Sequence, residues 1–141
     1  MSSKIETLAL EHDYAAPPER VFDAWTRVDL LGRWFGCAAD KLWTVHQWIV
    51  RPGGAIHVSL DFEGRPYEVR GRFLIVDRPK RLRYLWAEDE IVEVTISPRG
   101  TGSHLLLSHS FPHSADARAI RTMGWSHSLE QLGEQGATKI P

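Results

Sequence analysis

The stretch from Trp43 to Phe111 constrains the fold most, because it is a succession of strand-like segments joined by turns of a few residues. Each segment is rich in β-branched, aromatic or alternating apolar residues and stops at a turn, most of them marked by glycine or proline. The predicted strands are residues 43–51, 55–62, 67–76, 81–87, 91–97 and 103–111. Strands joined by such short turns must be mostly antiparallel, since a parallel crossover needs about a dozen residues or more.

A further strand and two short helices are predicted ahead of this stretch. Apolar residues recur in period two over residues 5–14, which is typical of a half-buried strand. The proline pair at 17–18 suits a first helical turn, because the N–H that proline lacks would have no partner within the helix there. Asp29 is predicted to cap a second short helix that runs through Trp34 and ends at Gly36.

The C-terminal part predicts one long helix. Ser114 is its predicted cap, and apolar or small residues follow at three- and four-residue steps as far as Leu132. Gly124 costs about 1 kcal/mol relative to alanine in mid-helix, which indicates a close approach to the sheet. Residues 136–141 are expected to fray. The whole chain, 1–141, therefore reads as a single α+β domain with helices on one side of an antiparallel sheet.

Composition excludes several classes of protein. The chain is 43% hydrophobic and 25% charged with a formal net charge of −1, which gives no basic excess for a nucleic-acid partner. One cysteine excludes an intrachain disulfide, and no segment is typical of a signal peptide or a membrane span. We therefore expect a soluble cytoplasmic protein. The six tryptophans are unusual, and their broad apolar area suits a cavity wall as well as a core.

Several short motifs stand in a fixed order along the chain. They are Pro17-Pro18 leading into Val21-Phe22-Asp23-Ala24-Trp25, then Leu31-Gly32-Arg33-Trp34-Phe35, Gly53-Gly54 with Gly71-x-Phe73-x-Ile75-x-Asp77-x-Pro79, Ser103-x-Leu105-x-Leu107-x-His109-x-Phe111, and Gly124-Trp125-x-x-x-Leu129-x-x-Leu132. In this order they resemble the activator of heat-shock-protein-90 ATPase homologue-like family, within the START-like or SRPBCC superfamily that includes the Bet v allergens.

The resemblance implies a helix-grip fold. A curved antiparallel sheet of about six or seven strands would wrap around the long C-terminal helix and leave a cavity between them. The resemblance does not specify a ligand, because relatives include co-chaperone domains, lipid carriers and polyketide cyclases, and function depends on the site rather than the fold. The long N-terminal domain of the co-chaperone form is absent from this sequence, so direct chaperone activation is not expected.

Six residues are the candidates for the cavity wall. If alternate residues of the last strand share one face, its histidine and terminal aromatic point with apolar neighbours towards the helix. The candidates are Trp34, Trp86, His109, Phe111, Trp125 and Leu129. The leading hypothesis is a binding protein for a hydrophobic small molecule, either a lipid, an aromatic or a polyketide-like compound. Each tryptophan also has an ordinary interpretation as a core residue.

The second hypothesis is a cyclase-like or hydrolase-like enzyme acting in that cavity. His109 would serve as acid or base near neutral pH, unless it is a core histidine that bonds to its neighbours. His57 and Asp61 lie four residues apart on one predicted strand and therefore share a face, which would place a base beside a carboxylate. A solvated outer face of the sheet would give the same pattern.

A third hypothesis is a protein-interaction or regulatory module. It would use a sheet edge or the run of arginines between Arg65 and Arg83, which is also typical of a solvated face. Neither a metal nor a cofactor is expected. The two nearest clusters lack the paired spacing of a zinc site. They are Cys37-x-x-Asp40 with His46, and His109-x-x-x-His113 with Asp116.

Overall fold

The computed structural model describes residues 4–38 and 41–137. Within them lie nine strands, three α-helices and a final π-helical segment. In chain order they are β1 Ile5–Tyr14, α1 Pro18–Thr26, α2 Val28–Leu31, β2 Gly36–Ala38, β3 Lys41–Leu42, β4 Thr44–Trp48, β5 Ala55–Phe62, β6 Arg65–Asp77, β7 Arg81–Ala87, β8 Glu90–Arg99, β9 Gly102–Pro112, α3 Ala117–Gln131 and the π-helical Leu132–Ala137. Among the helices that are described, none is long and apolar enough to cross a bilayer.

Seven of the strands form one curved antiparallel sheet. Their order is β1-β9-β8-β7-β6-β5-β4, so the first strand of the chain joins the sheet beside the last. Strands β2 and β3 form a separate two-stranded hairpin. Helix α3 packs against β2 and β1. Helices α1 and α2, which come between β1 and that hairpin in the sequence, contact each other. The predicted α+β class and its helix-grip architecture are confirmed.

Alternation along the strands decides which face is the core. On β8 the buried residues are Val92, Val94 and Ile96, and on β9 each second residue from Ser103 to Phe111 is buried. The register pairs Val94 with Leu107, so the two apolar rows lie side by side on the face that meets the helices. Period-two patterning therefore predicted both the strands and the face that they bury.

The second short helix differs from its prediction. Helix α2 ends at Leu31 with Gly32 as its C-cap, and Asp29 lies inside it and pairs with Arg27 instead of capping. Gly36 does not end a helix but opens β2. A Cβ there would overlap the backbone of Lys41 and Leu42, so glycine permits the close approach of β3.

The long helix and several strand ends also differ from prediction. Asp116, not Ser114, occupies the N-cap position of α3, and it caps through no side-chain hydrogen bond. Strand β4 is shorter than the predicted 43–51, because the N–H of Trp43 bonds to the carbonyl oxygen of Phe35 and residues 51–54 form a turn. Part of the predicted frayed tail lies outside the described residues.

Gly71 provides a test of how closely β6 and β7 approach each other. A Cβ at this position would overlap the carbonyl oxygen of Leu85, which is backbone and cannot rotate away. We expect Gly71→Ala to lower the free energy of unfolding by about 1–3 kcal/mol, as overpacking usually does. Urea denaturation measures the change.

The matched control is Gly32→Ala. Its Cβ would meet its first neighbour, the carbonyl oxygen of Val28, at 3.5 Å, which is ordinary contact. This change should alter stability by less than about 1 kcal/mol. Equal effects of the two substitutions would contradict the proposed backbone overlap at Gly71.

Candidate functional site

A partly open cavity of about 150 Å³ lies between α3, the start of the β2–β3 hairpin and the inner face of the sheet. Aromatic and apolar groups make up most of its wall. The described residues that line it are Phe35, Gly36, Trp43, Trp86, His109, Ile120, Arg121, Gly124, Trp125 and Ser128. The expected cavity between sheet and C-terminal helix is therefore present, at a small size.

Phe35 lies at the centre of the aromatic wall. Its ring centroid is 5.6–6.2 Å from the rings of five tryptophans, mostly in tilted or edge-to-face arrangements that suit aromatic quadrupoles. The five are Trp34, Trp43, Trp48, Trp86 and Trp125. Phe35 follows the three-residue turn, 32–34, that comes after α2, so this turn places the ring at the cavity.

One face of α3 forms the opposite wall. Residues 120, 121, 124, 125 and 128 line the cavity, and their three- and four-residue spacing places them on one helical face. Ser128 fixes this face to the hairpin, because its Oγ donates to the carbonyl oxygen of Gly36 and accepts from the Gly36 N–H at 3.3 Å. Gly124 borders the cavity in the middle of this face.

A chain of four polar side chains closes one side of the cavity. The Trp125 Nε1–H donates to His109 Nδ1 at 2.8 Å, and His109 Nε2 lies 2.7 Å from Glu90 Oε1. Arg121 then binds both carboxylate oxygens of Glu90 at 3.0 Å, through Nε and Nη2. The guanidinium also lies 4.8 Å from the ring centroid of Phe111.

The bonding pattern assigns the tautomer of His109. An indole N–H can only donate, so His109 Nδ1 must accept and Nε2 must carry the proton that Glu90 accepts. Both ring nitrogens are therefore engaged, and the imidazole is neutral in this arrangement. Protonating Nδ1 would set its N–H against the N–H of Trp125. His109 consequently orients Trp125 and holds Glu90, and neither nitrogen is available to a ligand.

The carboxyl of Glu90 is stabilised in its charged form. Burial raises its pKa, but the hydrogen bonds from His109 and Arg121 and the positive charge of Arg121 outweigh burial and lower the pKa to about 2. The Glu90 side chain is only 12% exposed and that of Arg121 27%. A charged pair thus stands at the edge of an otherwise apolar cavity.

Three of the six predicted cavity residues line the cavity, namely Trp86, His109 and Trp125. The other three pack beside it. Trp34 is buried and donates from Nε1 to the carbonyl oxygen of Ala24 at 3.0 Å, and Phe111 is buried beneath Arg121. Leu129 borders a separate open groove between β1 and α3.

The predicted pair of His57 and Asp61 lies on the outer face of the sheet, away from the cavity. Their neighbours Ile56 and Val58 are buried on the inner face, and side chains alternate along β5. His57 Nε2 bonds to Glu68 at 2.7 Å rather than to Asp61. The structure therefore does not bring a base and a carboxylate together at these two positions.

The arginine run also lies largely in ion pairs. Arg81 and Arg83 share one carboxylate oxygen of Glu93, and Arg78 binds Asp23 on α1. Metal ligands are also not gathered in one place in the part of the chain that the structure describes. Among the described residues, no group of three or more histidine, cysteine, aspartate or glutamate side chains could hold a metal ion. Asp40, from one of the two clusters considered above, lies outside the described residues.

Sequence reasoning did not select Glu90, Arg121, Phe35 or Trp43. The predicted strands 81–87 and 91–97 leave the acidic residues 88–90 to the turn between them, whereas Glu90 is the first residue of β8. The alternation of side chains along β8 could have identified Glu90. Alternate residues place it on the inner face with Val92 and Val94, diagonally across from His109. Arg121 and Phe35 carried no comparable signal.

Glu90→Gln tests the polar chain through its pH dependence. The folded pKa of Glu90 is below the ordinary value, so its charge stabilises the fold above about pH 4.5 and loses this effect as pH falls towards about 2. At pH 7 the substitution should lower the free energy of unfolding by about 1–3 kcal/mol. Urea denaturation should show this deficit shrinking between pH 5 and pH 3.

Glu88→Gln is the matched control. Glu88 is exposed in the turn that precedes β8. We expect this change to shift stability by less than about 0.5 kcal/mol at either pH. A Glu90→Gln deficit of constant size down to pH 3 would contradict the role assigned to the Glu90 carboxylate.

Comparisons with known proteins agree with this architecture. The structure resembles protein CV1439 from Chromobacterium violaceum with a TM-score of 0.81 and 25% identity, over 91% of this chain and 94% of that one. It also resembles an AHSA1-like protein from Aeromonas hydrophila, with a TM-score of 0.77 and 18% identity over 96% and 98% of the two chains. CalU16 from Micromonospora echinospora follows, with a TM-score of 0.65 and 24% identity over 92% and 75%.

The curated proteins compared with the chain include no match. The sequence profile of one family, described as Activator of Hsp90 ATPase homolog 1-like protein, matches residues 15–135, from the residue after β1 into the π-helical segment. With most of its length matched and the fold shared with an AHSA1-like protein, the chain belongs to the Activator of Hsp90 ATPase homolog 1-like family.

Proposed function

We propose that the protein binds a small apolar molecule in the cavity between α3 and the sheet. The observation that carries the proposal is an unfilled space of about 150 Å³ walled by Phe35, Trp43, Trp86 and Trp125. Close packing is the rule in protein interiors, and voids larger than a water molecule are few. An aromatic wall left unfilled beside a rigid polar chain is the arrangement expected of a ligand pocket.

The volume of the cavity favours one of the three ligand types in the leading hypothesis, which were a lipid, an aromatic and a polyketide-like compound. Pockets for drug-sized ligands are usually about 300–1,000 Å³, whereas an apolar cavity of about 150 Å³ in another protein takes up benzene. A cavity of 150 Å³ therefore suits a single aromatic ring better than a lipid chain or a polyketide.

The enzyme hypothesis has less support from the same geometry. A general base needs a free lone pair within reach of its substrate. His109 uses Nδ1 to accept from Trp125 and Nε2 to hold Glu90, so catalysis by this imidazole would first require the polar chain to break. Binding is the function that requires no such change.

Gly124→Leu tests the proposal. Its position on the cavity face of α3 directs a leucine side chain into a space of about 150 Å³, which leaves too little room for an aromatic ring. The change removes no hydrogen bond, and leucine favours helix over glycine. With toluene as the probe, NMR titration of the indole N–H resonances should show binding at least about tenfold weaker than in the unaltered protein.

Met123→Leu is the control, since Met123 is on the same helix but 67% exposed. It should leave toluene binding unchanged. Native mass spectrometry of freshly purified protein adds an independent measurement, because a retained small apolar molecule should be present with Gly124 and lost with Gly124→Leu. Equal toluene affinity of Gly124→Leu and Met123→Leu would overturn the proposed site.

A further inference from the structure

The hydrogen-bonding groups left unused in the cavity wall are mainly donors. His109 and Glu90 already accept from Trp125, His109 and Arg121, and Ser128 Oγ both donates to and accepts from Gly36. Each of these acceptor atoms, in the cavity wall or beside it, thus already holds at least one hydrogen bond within the protein. A ligand that donated a hydrogen bond would have to share these acceptors with donors of the protein.

Donors, in contrast, remain. Of the five N–H groups of a guanidinium, Arg121 uses Nε and one Nη2 hydrogen on Glu90 and directs one Nη1 hydrogen to the carbonyl oxygen of Ala117 at 3.5 Å. The other two N–H groups of Arg121, which lines the cavity, form no hydrogen bond within the described residues. The half-buried Trp43 and Trp86 also lack a side-chain hydrogen bond within the described residues, and an indole N–H is a donor.

The charges at the edge of the cavity balance. Arg121 carries one positive charge and Glu90 one negative charge at 3.0 Å, and the bonding pattern holds His109 neutral. An anionic ligand would therefore bring an uncompensated charge into a largely apolar space, which is costly. A neutral acceptor would gain the Arg121 hydrogen bonds without that cost.

From the unused N–H donors of the wall, the balanced charge and a volume that fits one aromatic ring, we infer that the ligand class is a neutral aromatic compound bearing an acceptor oxygen, such as an aryl ketone, aldehyde or ester. Its ring lies among Phe35, Trp86 and Trp125, and its oxygen accepts from the guanidinium of Arg121. This inference rests on the proposed function, because it names the ligand class of the same cavity.

Three probes of similar size separate the possibilities: acetophenone, which is a neutral acceptor, ethylbenzene, which has no acceptor, and benzoate, which is an anionic acceptor. We expect acetophenone to bind about tenfold more tightly than ethylbenzene at pH 7, as one hydrogen bond to a charged donor allows. Benzoate should bind more weakly than acetophenone. Calorimetry or NMR titration gives the three affinities.

Glu90→Gln should reverse the preference for charge. A glutamine oxygen at the position of Oε1 still accepts from His109 and from Arg121 Nε. The amide NH2 at the position of Oε2 cannot accept from Arg121 Nη2, so that hydrogen bond is lost and the guanidinium charge is uncompensated. Benzoate affinity should rise about tenfold, to exceed that of acetophenone. Glu68→Gln, on the outer face of the sheet, removes the same charge away from the cavity and should leave benzoate affinity unchanged.

The outcomes distinguish the two claims. Equal binding of acetophenone and ethylbenzene would overturn the assigned ligand class and leave the apolar pocket standing. Binding of none of the three probes at millimolar concentration would overturn the proposed function as well. Tighter binding of benzoate than of acetophenone to the unaltered protein would contradict the neutral-ligand inference without any variant, so the test survives if Glu90→Gln folds poorly.

Discussion

The hydrogen bond from Trp125 to His109 is the interaction on which the other features of the site depend. It joins α3 to β9, and because indole is only a donor it leaves His109 one arrangement of its proton. That proton is then directed at Oε1 of Glu90, and Arg121 binds both oxygens of the same carboxylate. One contact between helix and sheet thus helps to orient two more side chains, Glu90 and Arg121.

This arrangement explains how polar groups border an apolar cavity at low cost. A buried polar atom without a partner costs about 1–3 kcal/mol, so histidine and glutamate beside tryptophan rings must satisfy one another. The chain from Trp125 through His109 and Glu90 to Arg121 does so, and its far end is partly exposed to water. The surface presented to the cavity remains mostly aromatic.

Sequence patterning predicted the strands and the inward direction of His109, because period two follows from backbone geometry alone. It did not predict Glu90, since a charged residue next to two other acids resembles a solvated turn until its pairing partner is known. Phe35 was missed for a different reason. Its place depends on where α2 ends, and the boundaries of a four-residue helix are set by tertiary contacts rather than by local propensity.

The ring of five tryptophans around Phe35 has an optical consequence. Trp25 adds the sixth indole at 5.7 Å from Trp125 and 4.8 Å from Trp34, so the whole set is contiguous. Excitation absorbed by any one indole passes to its neighbours at such separations before it is emitted. The tryptophan fluorescence of this protein is therefore a property of the assembled cluster, and a guest that quenched one indole would lower the fluorescence of the whole cluster.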